Sequence, residues 1–299
     1  MMGLGQNGLQ MTKIGFIGIG LMGLPMAKNV LKKNNQLNIW NRTKSKTEEL
    51  VKLGAKNFDN IKDLVQQSEV VITMLANDDV CKDIYLKNLS EVCKDNQIFI
   101  DMSSTTQDTA INIGKSLNKK KSFFIDAPVS GGTIGAENGT LAIMAGGDES
   151  TFKKIENIFN FMGSAVYVGP TGCGQIAKLA NQAIVGISIG AVAEALLLAE
   201  SSGANPEAVR EAMLKGFAGG PILQNHGQRI VKNNFKPGGK SSTQLKDMNN
   251  IIATANKYNV NLPISKKVQE LYEKTVKSGK GDLDHSALYL FIKELNKIS

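Results

Sequence analysis

Cysteine, aromatic side chains and histidine are all scarce in this chain, and each scarcity removes a class of function. The three cysteines, Cys81, Cys93 and Cys173, are odd in number and lack metal-ligand spacing. Neither disulfides nor a cysteine-held zinc is expected, and a reducing cytoplasm is the expected setting. Five Tyr and one Trp leave few platforms for stacking bases. The formal charge of +8 is spread along the chain and is not read as a nucleic-acid footprint; it would instead help to attract an anionic small molecule. His226 and His285 stand far apart, with no cysteine or carboxylate cluster, so no metal site is expected. The longest apolar stretch, Ala183 to Ala199, contains Ser188 and Glu194 and is shorter than a bilayer usually requires. A buried helix rather than a membrane span is expected. The opening MMGLGQNGLQ has neither the basic start nor the apolar run of a secretory signal, and residues 1–12 read as a flexible extension.

What the chain does have is a change of rhythm. From Lys13 to Val168 short β-type runs (KIGFI, LNIW, VVITM, IFID, FFIDAPV, LAIMAG, AVYV) alternate with amphipathic stretches. That alternation predicts strand-helix-strand units around a mainly parallel sheet. After Gly169-Pro170-Thr171-Gly172 only helical periods follow, punctuated by Gly203, Asn205-Pro206, Gly219-Gly220-Pro221, Pro237-Gly238-Gly239 and Pro263. The expected fold class is an α/β N-terminal Rossmann-type domain, residues 13–170, plus an all-α C-terminal domain, residues 171–299.

Directly after KIGFI comes Gly18-Ile19-Gly20-Leu21-Met22-Gly23, followed by the helix-like LPMAKNVLKK. In a dinucleotide site the first glycine makes the tight turn, the second admits the pyrophosphate and the third lets helix and strand pack closely. The phosphates then sit at a helix N-terminus, where unpaired N–H groups and the helix dipole favour negative charge. About twenty residues on, an NAD site would place a carboxylate on the ribose hydroxyls. This chain has Asn41, Arg42 and Thr43 there, and a guanidinium pairs with a 2′-phosphate that a carboxylate would repel. NADP is favoured, with NAD as the alternative.

Two further segments carry chemistry. Ser130-Gly131-Gly132 follows a strand, and backbone without side chains approaches an anion closely and offers it N–H donors. A small carboxylate is a natural guest. In GCGQIAKLANQ, residues 172 to 182, Lys178 enters an otherwise apolar helix. Such a lysine either snorkels its head to water or handles a proton. Asn181 and Gln182, three and four residues on, share its helix face. Gly186-Ile187-Ser188-Ile189-Gly190 matches a hydrolase pattern but lies within the helical stretch, without the strand-turn-helix elbow that pattern requires.

Taken together, GFIGIGLMGLPMAKN, DMSS, DAPVSGGTIGAENGTLAIMAGG, GCGQIAKLANQ and LKD at 245 to 247 resemble the β-hydroxyacid dehydrogenase family, related to 6-phosphogluconate dehydrogenase. Within it, GGTIGAENGT, GFAGGPIL and GDLDHSAL resemble the 2-hydroxy-3-oxopropionate (tartronate semialdehyde) reductases, while WNRT resembles the NADPH-dependent glyoxylate and succinic semialdehyde reductases. The resemblance implies that Lys178 is the catalytic lysine and that Ser130, Gly131, Gly132 and Asn181 or Gln182 bind substrate. It also implies that Leu75, Ala76 and Ser104 line the nicotinamide side, and that Lys246, with Asp247 beside it, reaches the cofactor and closes the cleft.

Two departures bear on the substrate. The family's Asn four residues after the lysine is Gln182 here, with Asn at 181, so which amide meets the substrate is open. Its Pro-Gly-Phe turn is Pro237-Gly238-Gly239, without the aromatic. The implied function is NADP(H)-dependent interconversion of a small semialdehyde acid and its hydroxy acid, with 2-hydroxy-3-oxopropionate first and 3-hydroxyisobutyrate, glyoxylate or succinic semialdehyde as alternatives. A cofactor-binding sensor without turnover is the reading from another class. The nearly all-round apolar helix carrying Lys178 leads us to expect a homodimer or homotetramer.

Overall fold

In a computed structural model of the protein, residues 12–34 and 36–298 are described; the first eleven residues of the expected extension lie outside them. The chain divides into two compact units, the first running to Lys178 and the second starting at Leu179.

Among the described residues, the first unit is built on a sheet of nine strands: β1 (Ile14–Ile17), β2 (Leu37–Trp40), β3 (Lys56–Asn57), β4 (Val70–Thr73), β5 (Ile98–Asp101), β6 (Phe123–Asp126), β7 (Val129–Ser130), β8 (Leu141–Gly147) and β9 (Gly163–Gly169). The order β3-β2-β1-β4-β5-β6 is parallel throughout. β8 departs from the parallel pattern: it runs antiparallel to β6 and β7, and β9 then pairs parallel with β8. β3 is absent from the sequence reading because Lys56 and Asn57 are both exposed and polar, and only their pairing with β2 makes them a strand.

The apolar runs of β1, β4, β5 and β6 are continuous because both faces of the sheet are covered there. Successive residues point to opposite sides, so Ile14, Phe16, Val70, Ile72, Ile100 and Ile125 join one core cluster, while Ile17, Val71, Phe99 and Phe124 join another. The first face is covered by helix Gly23–Asn34, through Met26, Ala27 and Val30, and by helix Glu149–Phe159. The second is covered by helices Ile61–Gln66, Asp78–Ile84 and Gln107–Asn118. Side chains cap these helix starts: Asn77 accepts from Val80 N, Thr106 from Thr109 N and Asp148 from Thr151 N.

The second unit is helical, with a core of Ala193, Leu196, Leu197, Met248, Ile251, Tyr272 and Leu288 among others. Its helices Pro206–Leu214, Ser241–Lys257, Pro263–Thr275 and Leu288–Leu295 follow the long helix Cys173–Ser201. That long helix differs from the sequence expectation. It runs 29 residues, long and apolar enough to cross a membrane, and only 33% of its most apolar window is buried within the chain. Ile184 and Leu198 are 66% and 70% exposed. The hydrolase-like Gly186 to Gly190 pattern lies inside this helix, so no nucleophile elbow forms.

Candidate active site

The glycine loop leaves β1 and enters helix Gly23–Asn34, and the space around each glycine explains its place. Gly18 has φ +99, and a Cβ there would lie 2.2 Å from the Met74 carbonyl oxygen; a Cβ on Gly23 would lie 1.9 Å from the carbonyl oxygen of Gly18. Both close approaches are to backbone, which cannot move aside. Around Gly20 no atom lies within 4 Å of a Cβ position. Turn and packing therefore use Gly18 and Gly23, while the side of Gly20 is left open. Leu21 stands 80% exposed beside it, while Met22 packs partly into the core.

A cavity of about 790 Å³ lies at this end of the sheet, lined by Gly18, Trp40, Asn41, Arg42, Leu75 and Val80 among others. Asn41 organises its rim: its Oδ1 accepts from Ile19 N at 2.9 Å and its Nδ2 donates to Thr43 O at 2.8 Å. Asn41 thus holds the glycine loop to the end of β2, with the exposed Arg42 on the cavity wall. Leu75 is held by a hydrogen bond from its N–H to Ser103 Oγ at 2.8 Å. Ala76 and Ser104 are exposed next to these anchors.

Two buried acids, Asp101 and Asp126, end β5 and β6 as register partners. Asp101 Oδ1 accepts from Thr73 Oγ1, Ser103 N and Ser103 Oγ, while its Oδ2 is buried without a hydrogen-bond partner among the described residues. Asp126 accepts from Gly172 N at 2.7 Å and Gln175 N at 2.9 Å. Burial pushes the Asp101 carboxyl up to about 6, against the hydrogen bonds from Ser103 and Thr73. Burial pushes that of Asp126 up to about 7, against the N–H groups of Gly172 and Gln175. The usual value is 3.8, so the folded protein binds more protons than the unfolded chain does. The resulting stabilisation is full below about pH 4 and is lost as pH rises through 6 to 7. Asp101→Asn keeps the shape and one acceptor but does not titrate. Its melting temperature should therefore change less between about pH 5 and pH 8 than that of the wild type; thermal melts with parallel pH profiles would rule this out.

Lys178, half-buried, lies one turn beyond Gln175 in helix Cys173–Ser201. Further along the helix, in the second unit, Asn181 Nδ2 donates to Gln182 Oε1 at 2.9 Å, and Gln182 Nε2 donates to Asp247 Oδ2 at 2.8 Å. Gln182 O also accepts from Gln244 Nε2. The amide that departs from the family pattern is thus engaged at both ends. Lys246 is exposed, with Nζ 3.7 Å from Asp247 Oδ1. In the first unit Ser130 closes β7, Gly131 and Gly132 follow at φ +133 and +62, and the Gly132 side lies open, with no atom within 4 Å of a Cβ there.

One sequence expectation needs correction. His226 and His285, separated by 59 residues, come together with ring centroids 4.5 Å apart, and Asp284 completes a group whose ligand atoms lie within 4.8 Å of one another. The carboxylate cluster was one residue from His285 but invisible until the fold returned His226 to it. Asp284 is nevertheless saturated: Ser286 N and Oγ bond to Oδ1, Gly238 N and Gly239 N bond to Oδ2, and Arg229 lies 3.8 Å away. Although burial favours its neutral form, the His226 ring 3.6 Å away and the hydrogen bonds from Ser286 and Gly238 hold it well below the usual carboxylate range. Burial, with His226 and Arg229 nearby, pushes His285 down to about 4. A cation would have to displace this donor set, so the group ties the Pro237-Gly238-Gly239 turn to the Asp284-His285-Ser286 segment. Where the family has an aromatic side chain, Gly239 instead faces the His285 ring, with 3.5 Å from a Cβ position to the nearest ring atom.

Sequence reasoning missed Asp101, Ser103, Asp126 and Gln175. The signal that could have found the acids is the repeated ending of IFID and FFID, two apolar strands each closing on Asp at the carboxyl edge of a parallel sheet.

An open glycine turn at the carboxyl end of a parallel sheet, with a cavity beside it, is the arrangement of a dinucleotide-binding domain, and the similarity to known proteins gives the class of enzyme. Residues 13–169 match the NAD binding domain of 6-phosphogluconate dehydrogenase, and residues 172–292 match the NAD-binding domain of NADP-dependent 3-hydroxyisobutyrate dehydrogenase. The chain is 37% identical to 2-hydroxy-3-oxopropionate reductase of Escherichia coli, over 92% of this chain and 95% of that one. It is 30% identical to glyoxylate/succinic semialdehyde reductase 1 of Arabidopsis thaliana, over 94% and 98%. A structure of 3-hydroxyisobutyrate dehydrogenase from Mycobacterium tuberculosis with L-serine superposes with a TM-score of 0.87 at 26% identity, covering 95% of this chain and 100% of that one. The chain belongs to the β-hydroxyacid dehydrogenase family and is an NAD(P)-dependent oxidoreductase. The sensor reading finds no support among these relatives.

Proposed function

We propose that the protein is an NADPH-dependent reductase of small semialdehyde acids, with 2-hydroxy-3-oxopropionate as the first substrate to test. The observation that carries the reading is the pairing, within one unit, of the open Gly20 cradle with a lysine one turn into a helix anchored at the strand ends. The identity to the Escherichia coli reductase supports the choice of substrate.

When bound, NADPH supplies a hydride to the aldehyde carbon. The Lys178 ammonium polarises the carbonyl oxygen and gives it a proton, and takes the proton back in the reverse direction. Ser130, Gly131 and Gly132 hold the substrate carboxylate, with the open face of Gly132 admitting it. Engagement of the Gln182 side chain at both ends, by Asn181 and Asp247, supports Asn181 over Gln182 as the amide for the substrate. Leu75, Ala76 and Ser104 line the nicotinamide side, and Lys246 and Asp247 are the further cofactor-binding residues. A second copy of the chain covers the exposed apolar side of the long helix at Ile184 and Leu198, in a homodimer or homotetramer.

The NADPH preference rests on Arg42 at the cavity wall and the absence of a carboxylate from Asn41, Arg42 and Thr43. Loss of NADPH absorbance is to be followed with 2-hydroxy-3-oxopropionate, glyoxylate, succinic semialdehyde and methylmalonate semialdehyde. The first should give the highest kcat/KM, with NADPH preferred to NADH. Arg42→Ala should raise the KM for NADPH about tenfold, the scale of one charge-assisted phosphate contact, and leave that for NADH within twofold. No turnover with any aldehyde would overturn the reading, and equal KM changes for both cofactors would remove Arg42 from the 2′-phosphate site.

A further inference from the structure

The first turn of the helix carrying Lys178 is fastened to the sheet by groups that lie far away in sequence. Asp126, at the end of β6, takes the N–H groups of Gly172 and Gln175, 46 and 49 residues on. The Gln175 side chain grips β5's exit loop from both sides: its Oε1 accepts from Thr105 N at 3.0 Å and its Nε2 donates to Ser103 O at 2.9 Å. Gln175, Asp126, Ser103 and Thr105 are all buried. Backbone closes the joint further, since a Cβ on Gly174 would lie 2.4 Å from the carbonyl oxygens of both Asp126 and Met144. Ser103 in turn links this joint to Asp101 and, through its Oγ, to Leu75 N.

We propose that Asp126 and Gln175 are positioning residues for the reaction: they fix the start of the long helix on the ends of β5 and β6 and so set where the Lys178 Nζ stands. The inference rests on the role given to Lys178 under Proposed function. A helix start leaves its first N–H groups unpaired, and the two carboxyl oxygens of Asp126 each take one of them. Here the carboxyl group comes from the sheet rather than from a capping residue of the helix itself. The helix is therefore located relative to β6, and side chains one turn later inherit that location. Through Ser103 the same joint fixes the Leu75 turn, so the residues proposed for the nicotinamide side and the proposed proton donor share one rigid reference.

Two variants test this without touching a group that meets substrate or cofactor. Asp126→Asn keeps the size but opposes an amide N–H to a backbone N–H. Gln175→Met keeps the bulk and the main-chain bond to Asp126 but removes both side-chain bonds. Fluorescence titration with NADPH, steady-state reduction of 2-hydroxy-3-oxopropionate and a Lys178→Met control are measured together. The expected result is a fall in kcat of roughly 10- to 100-fold in both variants, the scale of a misplacement near 1 Å. The Kd for NADPH and the KM for the aldehyde should stay within twofold. If Asp126→Asn does not fold, Gln175→Met decides. An inert Lys178→Met together with wild-type kcat in a folded positioning variant overturns the inference and leaves the functional reading standing. Wild-type kcat in Lys178→Met overturns both. A kcat loss matched by equal loss of NADPH binding also overturns the inference, since it marks a general weakening of the domain.

Discussion

Lys178→Met should bind NADPH with wild-type affinity and fail to oxidise it with any semialdehyde, turnover dropping by about 10²- to 10⁴-fold, the usual contribution of a positioned general acid. Methionine fills nearly the same volume and suits an apolar helix better than lysine does. Stability should hold or rise, which separates lost chemistry from lost fold. The rival account is a side chain whose stem packs and whose head only reaches water; on that account the variant turns over normally. Steady-state kinetics beside an NADPH titration distinguish the two, and near-normal kcat would sink the assignment.

The second large effect divides the glycine loop into two kinds of position. Gly20→Val should melt near the wild-type temperature, because no atom lies within 4 Å of the added Cβ. It should weaken NADPH binding by about 10- to 100-fold, the cost of forcing a side chain into a close contact. Gly23→Ala adds less bulk but places it 1.9 Å from the Gly18 carbonyl oxygen, so the helix must back away from β1. That variant should lose ~3 kcal/mol or more of stability and bind NADPH poorly as well. Calorimetry and titration on both proteins test the contrast. If Gly20→Val bound NADPH normally, the cradle would not be where the pyrophosphate sits.

Much of the first unit was legible because its signals are local. The seven apolar runs named from sequence each fall on a strand, and in β1, β4, β5 and β6 burial on both faces leaves a continuous hydrophobic signature. The glycine spacing carried its meaning in neighbouring residues as well. The antiparallel course of β8 was not legible, because strand direction depends on pairing partners and not on the apolar run itself. The serine pair shows the same limit on a smaller scale. The motif pointed to Ser104, yet Ser103 is the buried residue that bonds Asp101 and Leu75, and DMSS reads alike for either.

By itself, the amino-acid sequence determined the α/β-then-α order, the dinucleotide fingerprint, the absence of a carboxylate after β2 and the presence of a lysine in an apolar helix. Only the tertiary structure decided that Gln182 is occupied by Asp247, that Asp126 and Gln175 anchor the lysine's helix, and that His226 meets Asp284 and His285. The physical reason is the range of the interactions. Periodicity and turn chemistry act over a few residues, whereas these contacts join groups 49 to 72 positions apart, and sheet register and helix packing alone bring them within hydrogen-bond reach or, for the histidines, into ring contact.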